Sequence, residues 1–305
     1  MSTRWLVTGA RGLLGQDMMA ELATRPDTVV TGLGRAELDI TDPMAVRAVV
    51  RGHHVVVNCA AWTDVDGAER SEAAATAVNG TGVRHLALAC ADSGALLLHV
   101  STDYVFPGDT REPCSEGAPT GPVNAYGRSK LAGERAVAEL LPRTGYVVRT
   151  AWLYGAHGRN FVATMLELAA RHETLDVVAD QHGQPTWSRA LARRLAVLGR
   201  AALGGRAPAG VYHGTADGRT TWYGLAREIF RLAGLDPERI RPVGSEEFPR
   251  RAPRPAFGVL GHGNWARCGL AVLPRWEDQL TAALAEHPFA ALAEAARAHR
   301  PRASA

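Results

Sequence analysis

Short apolar runs recur along the first half of the chain at helix-length intervals. Residues 5–8 (Trp-Leu-Val-Thr), 28–31 (Thr-Val-Val-Thr), 55–58 (Val-Val-Val-Asn), 96–100 (Leu-Leu-Leu-His-Val) and 146–149 (Tyr-Val-Val-Arg) are β-branched or aliphatic over most of their length. Runs of that kind read as strands. The intervening stretches 13–23, 43–50, 69–93 and 124–141 read as helices, and in 69–93 an apolar stripe is supplied by Val78, Val83, Leu86, Leu88 and Ala89. Strand and helix in alternation predict an α/β fold with a doubly wound parallel sheet, whose right-handed crossovers leave a ligand crevice at the carboxyl ends of the strands.

Beyond about residue 150 the pattern changes. Longer helices at 161–170 and 190–202 mix with short strands such as 211–213, which predicts a smaller C-terminal lobe over the crevice. The Pro-, Gly- and Arg-rich segment 239–264 reads as loop, and 295–305 as a frayed tail. No internal repeat is found.

Composition narrows the function classes. The chain has 305 residues, 46% of them hydrophobic, ample for a large core. A net charge of +3, spread along the chain, argues against nucleic acid as a partner. The local patch 249–254 (Pro-Arg-Arg-Ala-Pro-Arg) has two equal readings, a solvated loop or a position near an anionic substrate. No apolar window reaches the length of a membrane span, and the N-terminus lacks the apolar stretch of a secretory signal. Cys59, Cys90, Cys114 and Cys268 have neither metal-ligand nor disulfide-framework spacing, which fits a reducing cytoplasm; Cys59 is expected in a buried strand and Cys90 in a helix.

Gly9, Gly12 and Gly15 follow the first strand and open the first helix. Glycines there permit a tight turn and close backbone approach to a diphosphate, and the helix start offers N–H groups to it. The sheet is therefore expected to be Rossmann-type, with 1–150 as an NAD(P)-binding domain and 151–305 mainly as a substrate lobe, some of whose elements return to the first domain. At the end of the second strand, Thr31-Gly32-Leu33-Gly34-Arg35 lacks the acidic residue that would accept from an adenosine 2′-hydroxyl. Arg35 is placed to pair with a 2′-phosphate, so NADPH is the expected cofactor, with NADH left open. Asp39 and Ile40 are expected near the adenine.

The chemistry is carried by Tyr126 and Lys130, at i and i+4 on one helix face, and by Thr102 just past the fourth strand. A carbonyl that accepts hydride gains negative charge on its oxygen and needs a hydrogen-bond donor in place and a proton soon after. Tyr126 is assigned as the acid. Lys130 is assigned to favour its phenolate and hold the nicotinamide ribose, and Thr102 to orient the carbonyl.

These residues, with the motifs at 58–66 (Asn-Cys-Ala-Ala-Trp-Thr-Asp-Val-Asp), 101–108 (Ser-Thr-Asp-Tyr-Val-Phe-Pro-Gly), 126–134 (Tyr-Gly-Arg-Ser-Lys-Leu-Ala-Gly-Glu), 149–155 (Arg-Thr-Ala-Trp-Leu-Tyr-Gly) and 180–186 (Asp-Gln-His-Gly-Gln-Pro-Thr), resemble the dTDP-4-dehydrorhamnose reductase family of extended short-chain dehydrogenases/reductases. The likeness runs from residue 5 to about 190 and continues weakly to the C-terminus. It implies reduction of the 4-keto group of a dTDP-linked 4-keto-6-deoxy sugar to give dTDP-L-rhamnose. By matching position, the resemblance implies cofactor contacts from Gly12, Leu13, Leu14, Asp39, Ile40, Ala61, Trp62, Thr63, Val100, Tyr126 and Lys130, and sugar contacts from Thr102, Asp103 and Trp152. From the residues alone, Trp152 reads as a core aromatic.

Two positions depart from the family pattern. Cys114 stands where many relatives carry an aromatic residue and Gly258 where serine is more common; both are expected to border the sugar. They leave open a dihydrostreptose synthase branch in antibiotic biosynthesis, which contracts the ring of the same precursor. A non-catalytic cofactor-binding subunit is the alternative of a different class, opposed by the joint presence of Thr102, Tyr126 and Lys130. A 4,6-dehydratase would show an Asp-Glu pair after Thr102, where Asp103 and Tyr104 stand. No carboxylate cluster suggests a metal, and a homodimer is left open.

Overall fold

A computed structural model describes residues 2–298. Five strands lie where the apolar runs place them: β1 (Thr3–Thr8), β2 (Thr28–Leu33), β3 (Val55–Asn58), β4 (Leu96–Thr102) and β5 (Gly145–Thr150). A sixth, Gly210–His213, pairs with β5, so the strand read at 211–213 belongs to the main sheet rather than to the lobe. The spatial order is sixth strand, β5, β4, β3, β1, β2, with every neighbouring pair parallel. The chain moves from β1 to β2 on one side and then to β3 on the other. That reversal opens the crevice above the carboxyl ends of β1 and β3.

Alternate residues of each strand feed two separate cores, as the period of two requires. Trp5, Val7, Val55, Val57, Leu98, Tyr146 and Val148 join the core beneath helices Leu13–Ala23 and Ser188–Leu203. Leu6, Val56, Leu97 and Val147 join the one beneath Pro43–Val50, Val83–Ser93 and Ala125–Leu140. Trp5 is wholly buried against Gly199, where a Cβ would stand 2.4 Å from the indole.

The lobe has its own core, built from Val162 and Leu166 of helix Phe161–Ala169, Leu225, Ile229 and Phe230 of helix Trp222–Leu232, and Leu280 of helix Trp276–Leu284. Strands Leu175–Val178 and Ile240–Val243 pair in parallel beside it. The segment 239–264, expected to be loop, thus contains a strand that buries Ile240, and Gly263 opens helix Gly263–Arg267. The expected tail begins inside helix His287–Ala298, where Ala296 is buried and Arg297 Nη1 donates to Ala233 O at 2.6 Å; 299–305 lie outside the described residues. The helix expected over 69–93 starts at Glu72 and passes through a π-helical turn, Ala77–Gly82. Among the described residues, no helix is long and apolar enough to cross a membrane.

Candidate active site

A cleft of about 1030 Å³ lies at the carboxyl ends of the strands. Its lining includes Gly9, Gly12, Leu13, Leu14, Gly15, Arg35, Asp39, Ile40, Ala61, Trp62, Thr63, Val100, Thr102, Asp103, Tyr126, Lys130 and Trp152, so the candidate catalytic, cofactor and sugar residues converge there, Cys114 and Gly258 excepted.

The glycine loop is built for close approach. Gly9 has φ 68°, and a Cβ on it would stand 2.6 Å from Ala60 N; a Cβ on Gly15 would stand 2.2 Å from Gly9 O. Gly12 caps helix Leu13–Ala23 without a side-chain acceptor, which leaves the N–H groups of the first turn for an anion. These features fit a dinucleotide diphosphate. Beside the loop, Arg35 and Arg11 both line the cleft; Arg11 pairs with Glu37 at 2.9 Å. Hydrogen bonds from Thr41 N and Oγ1, at 2.9 and 2.8 Å, hold the Asp39 carboxyl below its ordinary value.

At the far end, helix Ala125–Leu140 begins at Asn124, whose Oδ1 accepts from Gly127 N at 2.8 Å. Tyr126 stands one residue inside, edge-on to Tyr104 with ring centroids 5.6 Å apart. Burial pushes its phenol up to about 12, Asp103 adds to the rise and a hydrogen bond with Thr102 offsets part of it. Lys130 is buried, and its Nζ donates to Val100 O at 2.7 Å. Burial lowers it to about 8 against the raising charge of Glu134. Lys130 is thus oriented by the Val100 carbonyl, and the charge bearing on the phenol is that of Asp103. Thr102 Oγ1 donates to Asp103 Oδ1 at 3.0 Å, and burial raises Asp103 to about 7.

Several contributors were not read from the sequence. Glu134, one turn beyond Lys130, accepts from Arg149 Nε at 3.0 Å and Nη2 at 2.7 Å and from Ser101 Oγ at 2.6 Å, all buried. Buried Asn79, in the π-helical turn, accepts from Trp62 N at 2.9 Å and donates to Trp62 O at 3.0 Å and Ser129 Oγ at 2.9 Å. It ties the cofactor-side loop to the Tyr126 helix; π turns often sit at functional sites. Trp222 and Arg159 line the cleft from the lobe. Tyr-x-x-x-Lys followed by Glu at the next turn was the available signal for Glu134; Asn79, Trp222 and Arg159 carried none.

The two family departures lie in different surroundings. Cys114 is outside the cleft lining and bridges to Leu260, its N–H donating to Val259 O at 2.9 Å. Gly258 backs Asp103, since a Cβ there would stand 2.5 Å from Oδ2. In the arginine patch, Arg254 is structural: Nη2 donates to Asp66 Oδ2 at 2.8 Å, while Ala252 N donates to Asp66 Oδ1 at 3.0 Å. Cys59 lies one residue past β3 and Cys90 is buried in helix Val83–Ser93.

The family described as RmlD substrate binding domain matches residues 3–288. The chain belongs to that family. It is 58% identical over 280 residues to a dTDP-4-dehydrorhamnose reductase of Streptomyces griseus, covering 91% of this chain and 92% of the relative. It is 51% identical over 285 residues to a dTDP-4-keto-6-deoxy-D-glucose reductase of Streptomyces niveus, covering 93% and 97%. Among solved structures, a dTDP-4-dehydrorhamnose reductase from Bacillus anthracis in complex with NADP superposes with a TM-score of 0.89 at 37% identity, over 94% of this chain and all of that one.

Proposed function

We propose that the chain is an NADPH-dependent reductase of a dTDP-linked 4-keto-6-deoxyhexose, with dTDP-4-dehydro-L-rhamnose as substrate and dTDP-L-rhamnose as product. The observation that carries this reading is the convergence of Thr102, Tyr126 and Lys130 on the cleft that also holds the dinucleotide loop. The reduced nicotinamide, when bound, supplies a hydride. Thr102 and Tyr126 meet the sugar carbonyl oxygen, and Tyr126 gives it a proton as the carbonyl carbon becomes a secondary alcohol. A phenol raised to about 12 is held in its acid form at neutral pH, ready to donate. Lys130, fixed on Val100 O, would hold the ribose of the cofactor. Arg35, which lines the cleft, would pair with the adenosine 2′-phosphate.

The test is incubation of the purified protein with dTDP-4-dehydro-L-rhamnose and NADPH, following cofactor oxidation and identifying the sugar by NMR. A six-membered rhamnosyl product with one NADPH consumed per sugar supports the reading. A ring-contracted product moves it to dihydrostreptose synthesis, and no oxidation defeats it in favour of a cofactor-binding subunit. The four free cysteines support a cytoplasmic setting, and light scattering tests for a homodimer.

A further inference from the structure

Trp152 is the one non-glycine residue with positive φ among the described residues, at 46°. Such backbone persists where the surroundings over-determine it, and it clusters at functional sites. Two elements hold the side chain. Trp222, at the start of helix Trp222–Leu232, stacks on the indole with centroids 3.5 Å apart and planes 8° from parallel. Gly183 lies against the ring as well: a Cβ there would stand 2.3 Å from Cε2, 2.6 Å from Cζ2 and 2.7 Å from Nε1. The bridgehead Cε2 being nearest, with its bonded neighbours Cζ2 and Nε1 both farther, means approach along the ring normal rather than from the edge. One face is filled by Trp222, so Gly183 covers the other.

Trp222 is itself fixed. Its Nε1 donates to Gln181 Oε1 at 3.2 Å, Gln181 Nε2 donates to Ser245 Oγ at 2.8 Å, and Ser245 Oγ donates to Asp180 Oδ1 at 2.6 Å. Phe161 packs on it at 4.7 Å. Trp152 and Trp222 both line the cleft.

We propose that Trp222 is a positioning residue of the sugar site: with Gly183 it sandwiches Trp152 so that the indole presents its edge, and not a face, to the substrate. The inference rests on the reductase reading above. A sugar ring then cannot stack on Trp152; it meets the Nε1–H edge, a donor suited to a sugar oxygen. The lobe thereby sets the placement of the keto carbon without touching the proton-transfer group.

The experiment compares Trp222→Ala, Trp222→Phe and Gly183→Ala with wild type, measuring kcat and KM for the keto sugar, Kd for NADPH, and the circular-dichroism couplet of the stacked indoles. Trp222→Ala is expected to abolish the couplet and lower kcat/KM for the sugar about 10–100-fold, with NADPH Kd within about twofold of wild type. Trp222→Phe, which keeps a flat ring against Trp152, is expected to recover most of the loss. Loss of the couplet with unchanged sugar kinetics overturns the proposal. If Trp222→Ala does not fold, Gly183→Ala, which presses the indole from its other face, decides: a selective sugar defect supports the proposal and unchanged kinetics overturn it. A wild type inert toward the keto sugar overturns the reductase reading itself, and this inference with it.

Discussion

Tyr126 and Lys130 face opposite consequences of the same apolar surroundings. Burial favours the neutral phenol and disfavours the ammonium, so one is moved to about 12 and the other to about 8. At neutral pH both therefore carry a proton. Tyr126→Phe removes the donor without changing ring packing and is expected to lower kcat by 10²–10⁴ or so while NADPH Kd, measured by fluorescence titration, stays at the wild-type value. Arg35→Ala tests a different contact: NADPH Kd should rise roughly tenfold, in keeping with loss of one charge-assisted pair, and NADH Kd should not change. At this scale the sequence was highly legible, because the chemistry needs particular residue types at particular spacings. Trp222 was not, since its role depends on which ring it stacks against, 70 positions away in the chain.

On helix Ala125–Leu140, Tyr126, Lys130 and Glu134 repeat at intervals of four along one face. The third member continues the ladder into the buried Arg149 pair. Its negative charge holds the lysine up against burial, so Glu134→Gln should lower the Lys130 pKa further. Lys130 is protonated below about 8, and kcat/KM is expected to fall as pH rises through that value; in the variant this basic limb moves to lower pH. The unpaired arginine left behind costs stability, about 3–5 kcal/mol, read by urea unfolding. Lys130 itself acts with the opposite sign: its burial costs stability below about pH 8, and the cost is relieved between pH 8 and the ordinary 10.5, where the unfolded chain binds the extra proton. The apolar stripe predicted this helix and its neighbours. It could not predict the π turn at Ala77–Gly82, which places Asn79 between Trp62 and Ser129; that is a tertiary hydrogen-bond requirement, invisible to periodicity.

Across the molecule, the alternating runs were enough to give the parallel sheet, because its central strands β3, β4 and β5 are buried along most of their length and so are apolar on both faces. They assigned the second half less well. Strand Ile240–Val243 was lost in a Pro- and Arg-rich setting, although Ile240 is buried, because two of its four side chains face water. The sixth strand was read with the lobe because its four residues say nothing about which sheet they join. Trp5 shows how the two halves lock, since its indole sits in the notch left by Gly199 of helix Ser188–Leu203. Trp5→Ala is expected to lower unfolding free energy by about 3–5 kcal/mol, measured by denaturant titration, because the cavity opens inside that shared core. After leaving β5 the chain thus visits the lobe, returns for helix Ser188–Leu203 and the sixth strand, leaves again, and comes back once more at Trp265. A gene fragment cut at residue 150 would accordingly encode a sheet with one face only partly covered, by helix Leu13–Ala23 alone, and the remainder a helix and strand with nothing to lie on, so the two units seen in space are not two separable modules of the gene.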